Sequence, residues 1–247
     1  MKKKVVAVIP ARLSSRRFSG KVLYPYHGKP LLYYVWNEVA KARTIDRLLI
    51  ATDQPEIVQT ARSFGAEVCL TAKRHKTGSD RVAEVMTKTG GDIVINIQAD
   101  NFGLTGALLD RVVGMMIRDQ KIRFATLAFE VKDEGSVTDF NLVKLVMNKH
   151  SEALWFSRYP LPYKRGFDDR TQAGKVKYYG HIGVYFFTRD ALCTFAHWRR
   201  TPCEKAESLE QLRILENGEK MKVFLTRIPI VSVDCKRDLK KLEHIYK

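Results

Sequence analysis

Short apolar runs rich in β-branched residues alternate with segments of helical periodicity through the first half of the chain. The apolar runs lie at residues 4–9, 47–51, 67–71 and 92–97. The helical segments lie at residues 31–42, 55–63, 79–88 and 104–117. Short apolar runs between polar loops are typical of buried strands, and strands that alternate with helices favour parallel pairing. The pattern predicts an α/β fold with a Rossmann-like, doubly wound and mostly parallel sheet.

The pattern changes in the second half of the chain. Strand-like segments follow one another with little helix between them, at residues 123–131, 142–147, 153–157 and 181–187. A stretch rich in Pro, Tyr and basic residues at 159–177 indicates an insertion or a dimer-forming arm. Helical pattern returns at 204–217 and 238–246, on either side of a strand at 221–228. We expect one domain over residues 1–247, with an antiparallel insertion that serves dimerisation at about residues 150–185.

Composition excludes several classes of protein. The chain has 247 residues, of which 45% are hydrophobic and 28% charged, so it is neither disordered nor fibrous. No apolar stretch approaches the roughly 20 residues of a membrane span. The four cysteines form no CxxC pair, which argues against a zinc ribbon or a disulfide scaffold. These features predict a cytoplasmic protein with reduced thiols.

The net charge of +16 is unevenly placed along the chain. The first 30 residues contain eight Lys and Arg residues and no Asp or Glu. Such a charge fits either a nucleic-acid surface or a site for a polyanionic small molecule. No aromatic-interleaved basic motif and no helix-turn-helix pattern accompanies it, so we expect no nucleic-acid partner.

The loop after the first strand, residues 10–21, combines four cations, three serines and a glycine. Guanidinium and ammonium groups match phosphate oxygens, and a glycine allows the backbone to approach a ligand. Gly20-Lys21 is followed by valine, so the loop is not a Walker A motif. The residue types alone leave two alternatives, a triphosphate site and a solvated basic loop.

Two further features lie where ligands bind in open α/β sheets, beyond the carboxyl ends of the strands. Residues 75–81 form a polar loop that opens a helix, which is either a ligand contact or an ordinary capped turn. Asp100 and Asp234 each follow an apolar strand directly. Mg²⁺ is bound by few protein carboxylates together with substrate phosphates, so these two side chains are candidate metal ligands.

Motifs in a fixed order carry a resemblance to a known family. They are Ile9-Pro10-Ala11-Arg12 with Ser15, Arg17, Gly20 and Lys21, then Ala51-Thr52-Asp53, Thr77-Gly78-Ser79-Asp80-Arg81, Phe156-Ser157-Arg158, His181-Ile182-Gly183-Val184-Tyr185, Leu209-Glu210-Gln211-Leu212-Arg213 and Val233-Asp234. The chain resembles the 3-deoxy-manno-octulosonate (Kdo) cytidylyltransferases, the CMP-Kdo synthetases of lipopolysaccharide assembly, over nearly its whole length. The resemblance implies the nucleotide-diphospho-sugar transferase fold, CTP and an acidic 3-deoxy sugar as substrates, Mg²⁺ as cofactor and a homodimer.

The resemblance also implies a role for each matching residue. Catalytic roles fall to Arg12, Arg17, Lys21 and Asp100. Nucleotide binding falls to Pro10, Ala11, Arg12, Ser15, Lys21, Thr77, Gly78, Ser79 and Arg81. Sugar binding falls to Gln98, Arg158, His181, Tyr185, Glu210 and Gln211. The metal ion falls to Asp100 and Asp234.

One segment departs from the family pattern. The family reads Gln-Gly-Asp-Glu-Pro after the fourth strand, whereas this chain reads Gln98-Ala99-Asp100-Asn101-Phe102. The aspartate is kept, but a neutral amide replaces the glutamate and a phenylalanine replaces the proline. The alternatives are therefore a cytidylyltransferase for a modified sugar acid, such as an 8-amino-Kdo, and a catalytically weakened nucleotide-binding homologue.

Overall fold

The computed structural model describes residues 2–13, 18–75, 77–163, 176–228, 230–233 and 235–246. Its strands are β1 Val5–Pro10, β2 Pro25–Tyr26, β3 Lys29–Pro30, β4 Arg47–Thr52, β5 Glu67–Leu70, β6 Ile93–Ile97, β7 Asn101–Phe102, β8 Phe124–Val131, β9 Lys144–Met147, β10 Ala153–Ser157, β11 Tyr178–Thr188, β12 Met221–Leu225 and β13 Val231–Ser232. Its α-helices are α1 Leu31–Ala40, α2 Pro55–Ser63, α3 Gly78–Thr89, α4 Gly106–Arg118, α5 Glu134–Thr138, α6 Arg189–His197, α7 Pro202–Glu207 and α8 Leu212–Glu216. Within the described residues, 3₁₀ segments cover Lys21–Leu23 and Lys236–His244.

The chain divides into two compact units, and the first comprises Met1–Arg123, Gly183–Ala196 and Ile228–Lys247. Its sheet has β1 at the centre, paired in parallel with β4 and β6, and β5 continues in parallel beyond β4. The last residues of β11 pair antiparallel with β6. At this centre Val8 is fully buried, between Leu49 of β4 and Asn96 of β6. A strand covered on both sides in this way requires an apolar sequence such as that of β1.

The second unit comprises Phe124–Ile182 and His197–Arg227. Here β8 pairs in parallel with β12, while β9 pairs antiparallel with β10 and with the first residues of β11. A Cβ on Gly180 would lie 2.6 Å from the ring of Phe129, so only glycine permits this packing.

The predicted fold class is confirmed, since a mostly parallel sheet and an antiparallel set of strands are both present. The prediction of a single domain with an insertion at residues 150–185 stays a prediction. Residues 164–175 of the predicted dimer arm lie outside the described part of the chain.

Two helix predictions need correction. The predicted helix over 204–217 is two short helices, α7 and α8, because Ser208 ends α7 in a left-handed conformation with φ of 54°. The predicted closing helix is the 3₁₀ segment Lys236–His244 rather than an α-helix. The short pairs β2–β3 and β7–β13 and the helices α5 and α6 were not predicted. In the part of the chain that the structure describes, no helix is long and apolar enough to cross a membrane.

Candidate active site

The first motif of the resemblance, Ile9-Pro10-Ala11-Arg12, lies at the carboxyl end of β1. Ala11 is buried, and its N–H donates to the carbonyl of Ala51 at the end of β4. A Cβ on Gly78 would lie 3.2 Å from Cγ of Pro10, so glycine lets the start of α3 approach β1 closely. Arg12 is exposed at this edge of the sheet. The structure thus brings Pro10 and Gly78 together, and the nucleotide-binding role of Pro10, Ala11 and Gly78 stays a prediction.

The N-terminus of α3 is capped by Thr77. Its hydroxyl accepts from the N–H of Asp80 at 3.1 Å, and the Asp80 carboxylate accepts from the N–H of Thr77 at 3.0 Å. Ser79 and Asp80 therefore lie inside the first turn of α3. Ser79 is only 1% exposed, and its hydroxyl accepts from Nδ2 of Asn96 at 2.9 Å. This bond orients the Ser79 hydroxyl at the end of β6.

Glu84 anchors the loop ahead of α3. Its carboxylate contacts His75, accepts from the N–H of Ala72 at 2.9 Å and accepts from Lys88 at 2.6 Å. Burial would raise the pKa of Glu84, but the hydrogen bonds from His75, Lys88 and Ala72 outweigh it and lower the pKa to about 2. The ionised carboxylate therefore holds the loop that leads to Thr77.

Arg81 is held by two partners that sequence reasoning did not assign. Its guanidinium lies 2.7 Å from the carboxylate of Asp53, and Nη1 donates to the hydroxyl of Thr71. Asp53 follows β4 and Thr71 follows the neighbouring strand β5, whereas Arg81 lies in the first turn of α3, so the ion pair joins the start of α3 to that edge of the sheet. With its charge balanced by Asp53, Arg81 serves as a fixed hydrogen-bond donor more than as a free cation.

Lys21 bridges two oxygens of the candidate site. Its ammonium lies 2.7 Å from the carboxylate of Asp100 and 2.6 Å from the carbonyl of Val233, and the residue is 8% exposed. Gly20 precedes it with φ of +70°, and the Gly20 N–H donates to the carbonyl of Leu13. The base of the basic loop is thereby closed, and Lys21 points inward. The solvated-loop alternative does not describe Lys21.

The donor set around Asp100 fits Mg²⁺. Its carboxylate and the Val233 carbonyl are hard oxygens that share one ammonium, and Mg²⁺ needs few protein oxygens when phosphates supply the rest. The described residues contain no cluster of three or more candidate metal ligands. The second predicted ligand, Asp234, lies outside the described residues, as do Ser15 and Arg17.

Gln98, Asp100 and Asn101 lie on one turn after β6. A Cβ on Gly183 would lie 3.0–3.2 Å from the amide group of Gln98, so the missing side chain of Gly183 gives Gln98 its place. Asn101 donates from Nδ2 to the Gly183 carbonyl at 2.8 Å. Tyr185 follows on β11, where it is buried and opposite Asn96. The first unit thus brings Gln98 and Tyr185 to the same strand pair, β6–β11.

His181 lies in the second unit, where its Nε2 is 2.8 Å from the hydroxyl of Thr126 and its ring packs edge-on against Phe156. Burial of the ring lowers the pKa of His181 to about 3, so the imidazole is neutral at physiological pH. A neutral ring can both donate and accept, which suits recognition of hydroxyl groups.

Arg158 is bound by carbonyl groups of its own unit. Nε donates to the carbonyl of Glu207 at 2.9 Å and Nη1 to that of Phe140 at 3.1 Å. The Glu207 carboxylate also accepts from the Arg158 N–H and from the hydroxyl of Ser157. This arrangement fixes the guanidinium, and sequence reasoning gave no sign of Glu207.

Glu210 and Gln211 lie in the turn between α7 and α8, where their carbonyls accept from the N–H groups of Arg213 and Ile214. Gln211 is buried. The turn exists because Ser208 interrupts the helix, so both side chains are presented from a turn instead of from the predicted helix face.

Lys144, a fully buried lysine of the second unit, was missed. Its ammonium donates to the carbonyls of Asp139, Leu142 and Arg158 at 2.8, 2.7 and 2.5 Å. Burial lowers the pKa of this ammonium. In the sequence, Lys144 is a single lysine at the start of an apolar strand, and this pattern does not predict that its ammonium is buried.

A cavity of about 620 Å³ in the first unit was also missed. It is lined by Phe18, Ser19, Tyr24, Cys235, Lys236 and Arg237. Lys236 lies 5.9 Å from the ring centre of Tyr24. The residues that line this cavity are therefore close in sequence to Lys21 and to Val233.

Comparison with known proteins identifies relatives over nearly the whole chain. A family model described as cytidylyltransferase matches residues 6–221. The 3-deoxy-manno-octulosonate cytidylyltransferase of Geobacter metallireducens is 38% identical over 97% of this chain and 96% of its own length. That of Bdellovibrio bacteriovorus is 39% identical over 98% and 97%.

A solved structure is similar over the same length. It is CMP:2-keto-3-deoxy-manno-octonic acid synthetase complexed with CTP, with a TM-score of 0.89, 33% identity and 98% coverage of both chains. Identities of this size over nearly the full length, together with the family model, establish common descent. The chain belongs to the 3-deoxy-manno-octulosonate cytidylyltransferases, a family of nucleotidyltransferase enzymes.

Proposed function

We propose that this protein activates 3-deoxy-manno-octulosonate with CTP, forming CMP-Kdo and pyrophosphate for lipopolysaccharide biosynthesis. The observation that carries the proposal is the Lys21–Asp100 pair at the carboxyl edge of the first unit's sheet, in a chain 33% identical to a synthetase complexed with CTP. In the reaction the anomeric hydroxyl oxygen bonds to the α-phosphorus of CTP. The bond from that phosphorus to the bridging oxygen breaks, pyrophosphate leaves with its electron pair, and the hydroxyl proton passes to solvent.

The cationic residues of the first unit act on the triphosphate. Lys21, with Arg12 and Arg17, neutralises the phosphates and the charge that develops on the leaving pyrophosphate. Lys21 reaches this task from a buried, oriented position. Arg17 keeps its role from the resemblance alone.

The α3 terminus binds the nucleoside. Ser79 is oriented by Asn96 and Arg81 by Asp53, so both present fixed polar groups next to Pro10 and Ala11. Fixed donors discriminate among bases more sharply than mobile ones, because a wrong base leaves them unpaired. Thr77 and Gly78 bring the helix start to this place.

Asp100 and Asp234 would hold Mg²⁺, which when bound supplies charge neutralisation and lowers the pKa of a bound hydroxyl. In this role Asp100 would hold the metal ion in place of its contact with Lys21, and Lys21 would be available to the phosphates. The sugar-binding roles of Gln98 and Tyr185, and of Arg158, His181, Glu210 and Gln211, remain predictions from the resemblance.

A homodimer in the cytoplasm completes the proposal. The second unit exposes a group of apolar side chains: Phe140, Leu154, Tyr159 and Tyr163. The rings of Phe140 and Tyr159 contact each other with centres 5.1 Å apart, beside the predicted arm. Exposed apolar groups of this kind mark interaction surfaces. All four cysteines are free thiols, which fits a reducing compartment.

The decisive experiment is mass spectrometry of the products formed from CTP and a panel of sugar acids. The panel contains Kdo, 8-amino-Kdo and N-acetylneuraminate, with ATP and UTP as control nucleotides. We expect CMP-Kdo and stoichiometric pyrophosphate, with kcat/KM highest for Kdo. A higher kcat/KM for 8-amino-Kdo than for Kdo would show that the amino sugar is the preferred substrate. The absence of any CMP-sugar would reject the proposed function. The names of the relatives favour Kdo, and the two residues that depart from the family motif both make contacts within the fold, Asn101 with Gly183 and Phe102 with Tyr246.

A further inference from the structure

Asn101 has a contact that a carboxylate at the same position cannot make. Its carboxamide donates from Nδ2 to the Gly183 carbonyl at 2.8 Å, and the residue is 6% exposed. An ionised aspartate or glutamate side chain only accepts hydrogen bonds, so it would oppose the carbonyl oxygen instead of bonding to it. The amide is thus chemically matched to its partner.

The same residue is paired on its other side. Asn101 lies opposite Ser232, and Phe102 opposite Val231, in the antiparallel pair β7–β13. Phe102 is fully buried, and its ring packs edge-on against Tyr246 with ring centres 6.5 Å apart. Phe102 therefore anchors the end of the 98–101 turn in the core, while Asn101 ties the turn to β11.

Gln98 and Asp100, the two residues of this turn with predicted roles in the reaction, are both coupled to Asn101. The Asn101 N–H donates to the Gln98 carbonyl at 3.2 Å, which closes the turn, and Asp100 lies between them. The Gly183 carbonyl that accepts from Asn101 belongs to the residue against which the Gln98 amide packs. A shift at Asn101 therefore moves Gln98 and Asp100 together.

We propose that Asn101 is a positioning residue for nucleotidyl transfer. Through its bond to Gly183 it sets the place of the 98–101 turn, and thereby the reach of Asp100 toward Lys21 and of Gln98 toward the sugar. This proposal rests on the proposed function, which assigns Asp100 of the turn to metal binding and Gln98 to sugar binding. A change at Asn101 leaves the contacts of Ser79 and Arg81 in place, because those contacts are made by Asn96, Asp53 and Thr71.

The test compares Asn101→Leu, which keeps the volume and removes the donor, with Asn101→Ala and the control Ser232→Ala. Ser232 faces Asn101 across β7–β13, and its exposed side chain leaves the backbone pairing intact when truncated. A displacement of about 1 Å in a reacting group costs on the order of 100-fold in rate. We expect kcat to fall about 30-fold or more in both Asn101 variants, with KM for CTP within about threefold and Ser232→Ala near wild type.

A second readout is Mn²⁺ affinity in the presence of CTP, measured by electron paramagnetic resonance, which we expect to weaken about fivefold or more in Asn101→Leu. Unchanged kcat and Mn²⁺ affinity in both variants would overturn the proposal. So would unfolding of both variants at 15 °C with Ser232→Ala stable, since Asn101 would then serve stability alone. If wild-type protein makes no CMP-Kdo, the proposed function fails, and the Mn²⁺ measurement still decides the role of Asn101.

Discussion

The ammonium of Lys21 lies 2.7 Å from the carboxylate of Asp100, with each side chain largely shielded from solvent. A cation that we assign to the triphosphate is thus paired with a carboxylate that we assign to the metal ion. Each group satisfies the buried charge of the other. In the proposed function, binding of CTP and a metal ion would exchange this one charge pair for two.

Replacement of Asp100 by asparagine tests that exchange. The amide oxygen can still accept from Lys21, so we expect the variant to fold, but the negative charge is lost. Turnover should fall about 100-fold or more, as for removal of other groups that stabilise charge at a reacting centre. Pyrophosphate release and circular dichroism measure the two effects. Asp119→Asn, on an exposed aspartate, is the control; equal activity in both variants would remove Asp100 from the metal site.

Arg81→Lys keeps the charge and loses the planar fork. One ammonium cannot reproduce the geometry of a guanidinium that bonds to both Asp53 and Thr71. We expect KM for CTP to rise about tenfold and the free energy of unfolding to fall by about 1–3 kcal/mol. Arg62→Lys, on the exposed side of α2, should change neither quantity. A normal KM in Arg81→Lys would show that the fork is not needed for CTP.

Two glycine substitutions separate local crowding from helix propensity. In Gly183→Ala the new methyl group would lie 3.0–3.2 Å from the Gln98 amide and displace it. We expect KM for the sugar acid to rise about tenfold while KM for CTP stays near wild type. In Gly114→Ala, within α4, no atom lies within 4 Å, so the variant should gain about 0.5–1 kcal/mol of stability. Unchanged sugar KM in Gly183→Ala would exclude Gln98 from the sugar site.

Glu84 predicts a defined acid sensitivity. Its pKa in the folded protein, about 2, is below the ordinary value of 4.5, so the unfolded state binds more protons between these values. The stability it contributes is complete above about pH 4.5 and is lost as the pH falls toward 2. Glu84→Gln should therefore lower the midpoint of thermal unfolding at pH 7, with a smaller difference from wild type at pH 3. A constant difference across this range would contradict the assignment.

The sequence predicted the parallel strands because their apolar runs are short, rich in β-branched residues and bounded by polar loops. It also predicted which loops would carry the site, since chain order alone places the carboxyl ends of parallel strands at one edge. Lys21 and Asp100 were each found in this way. Their direct contact was not, because it joins positions 79 residues apart along the chain.

Other features depend on partners that no local pattern shows. Asp53 reads as a turn residue until Arg81 lies beside it, and the place of Gln98 depends on an absent side chain at Gly183. The helix over 204–217 was wrong for a related reason. Its apolar spacing is helical, but the left-handed Ser208 and the caps of α7 divide it.

Lys144 shows that part of the chain's positive charge is buried and out of contact with ligands. Its ammonium counts toward the +16, yet it faces three carbonyl dipoles and no solvent. An incoming anion therefore cannot contact it, and amine-specific acylating reagents should leave it unlabelled while the native fold persists. Lys144 behaves as an internal counter-ion for backbone dipoles, so its labelling would report the opening of the second unit.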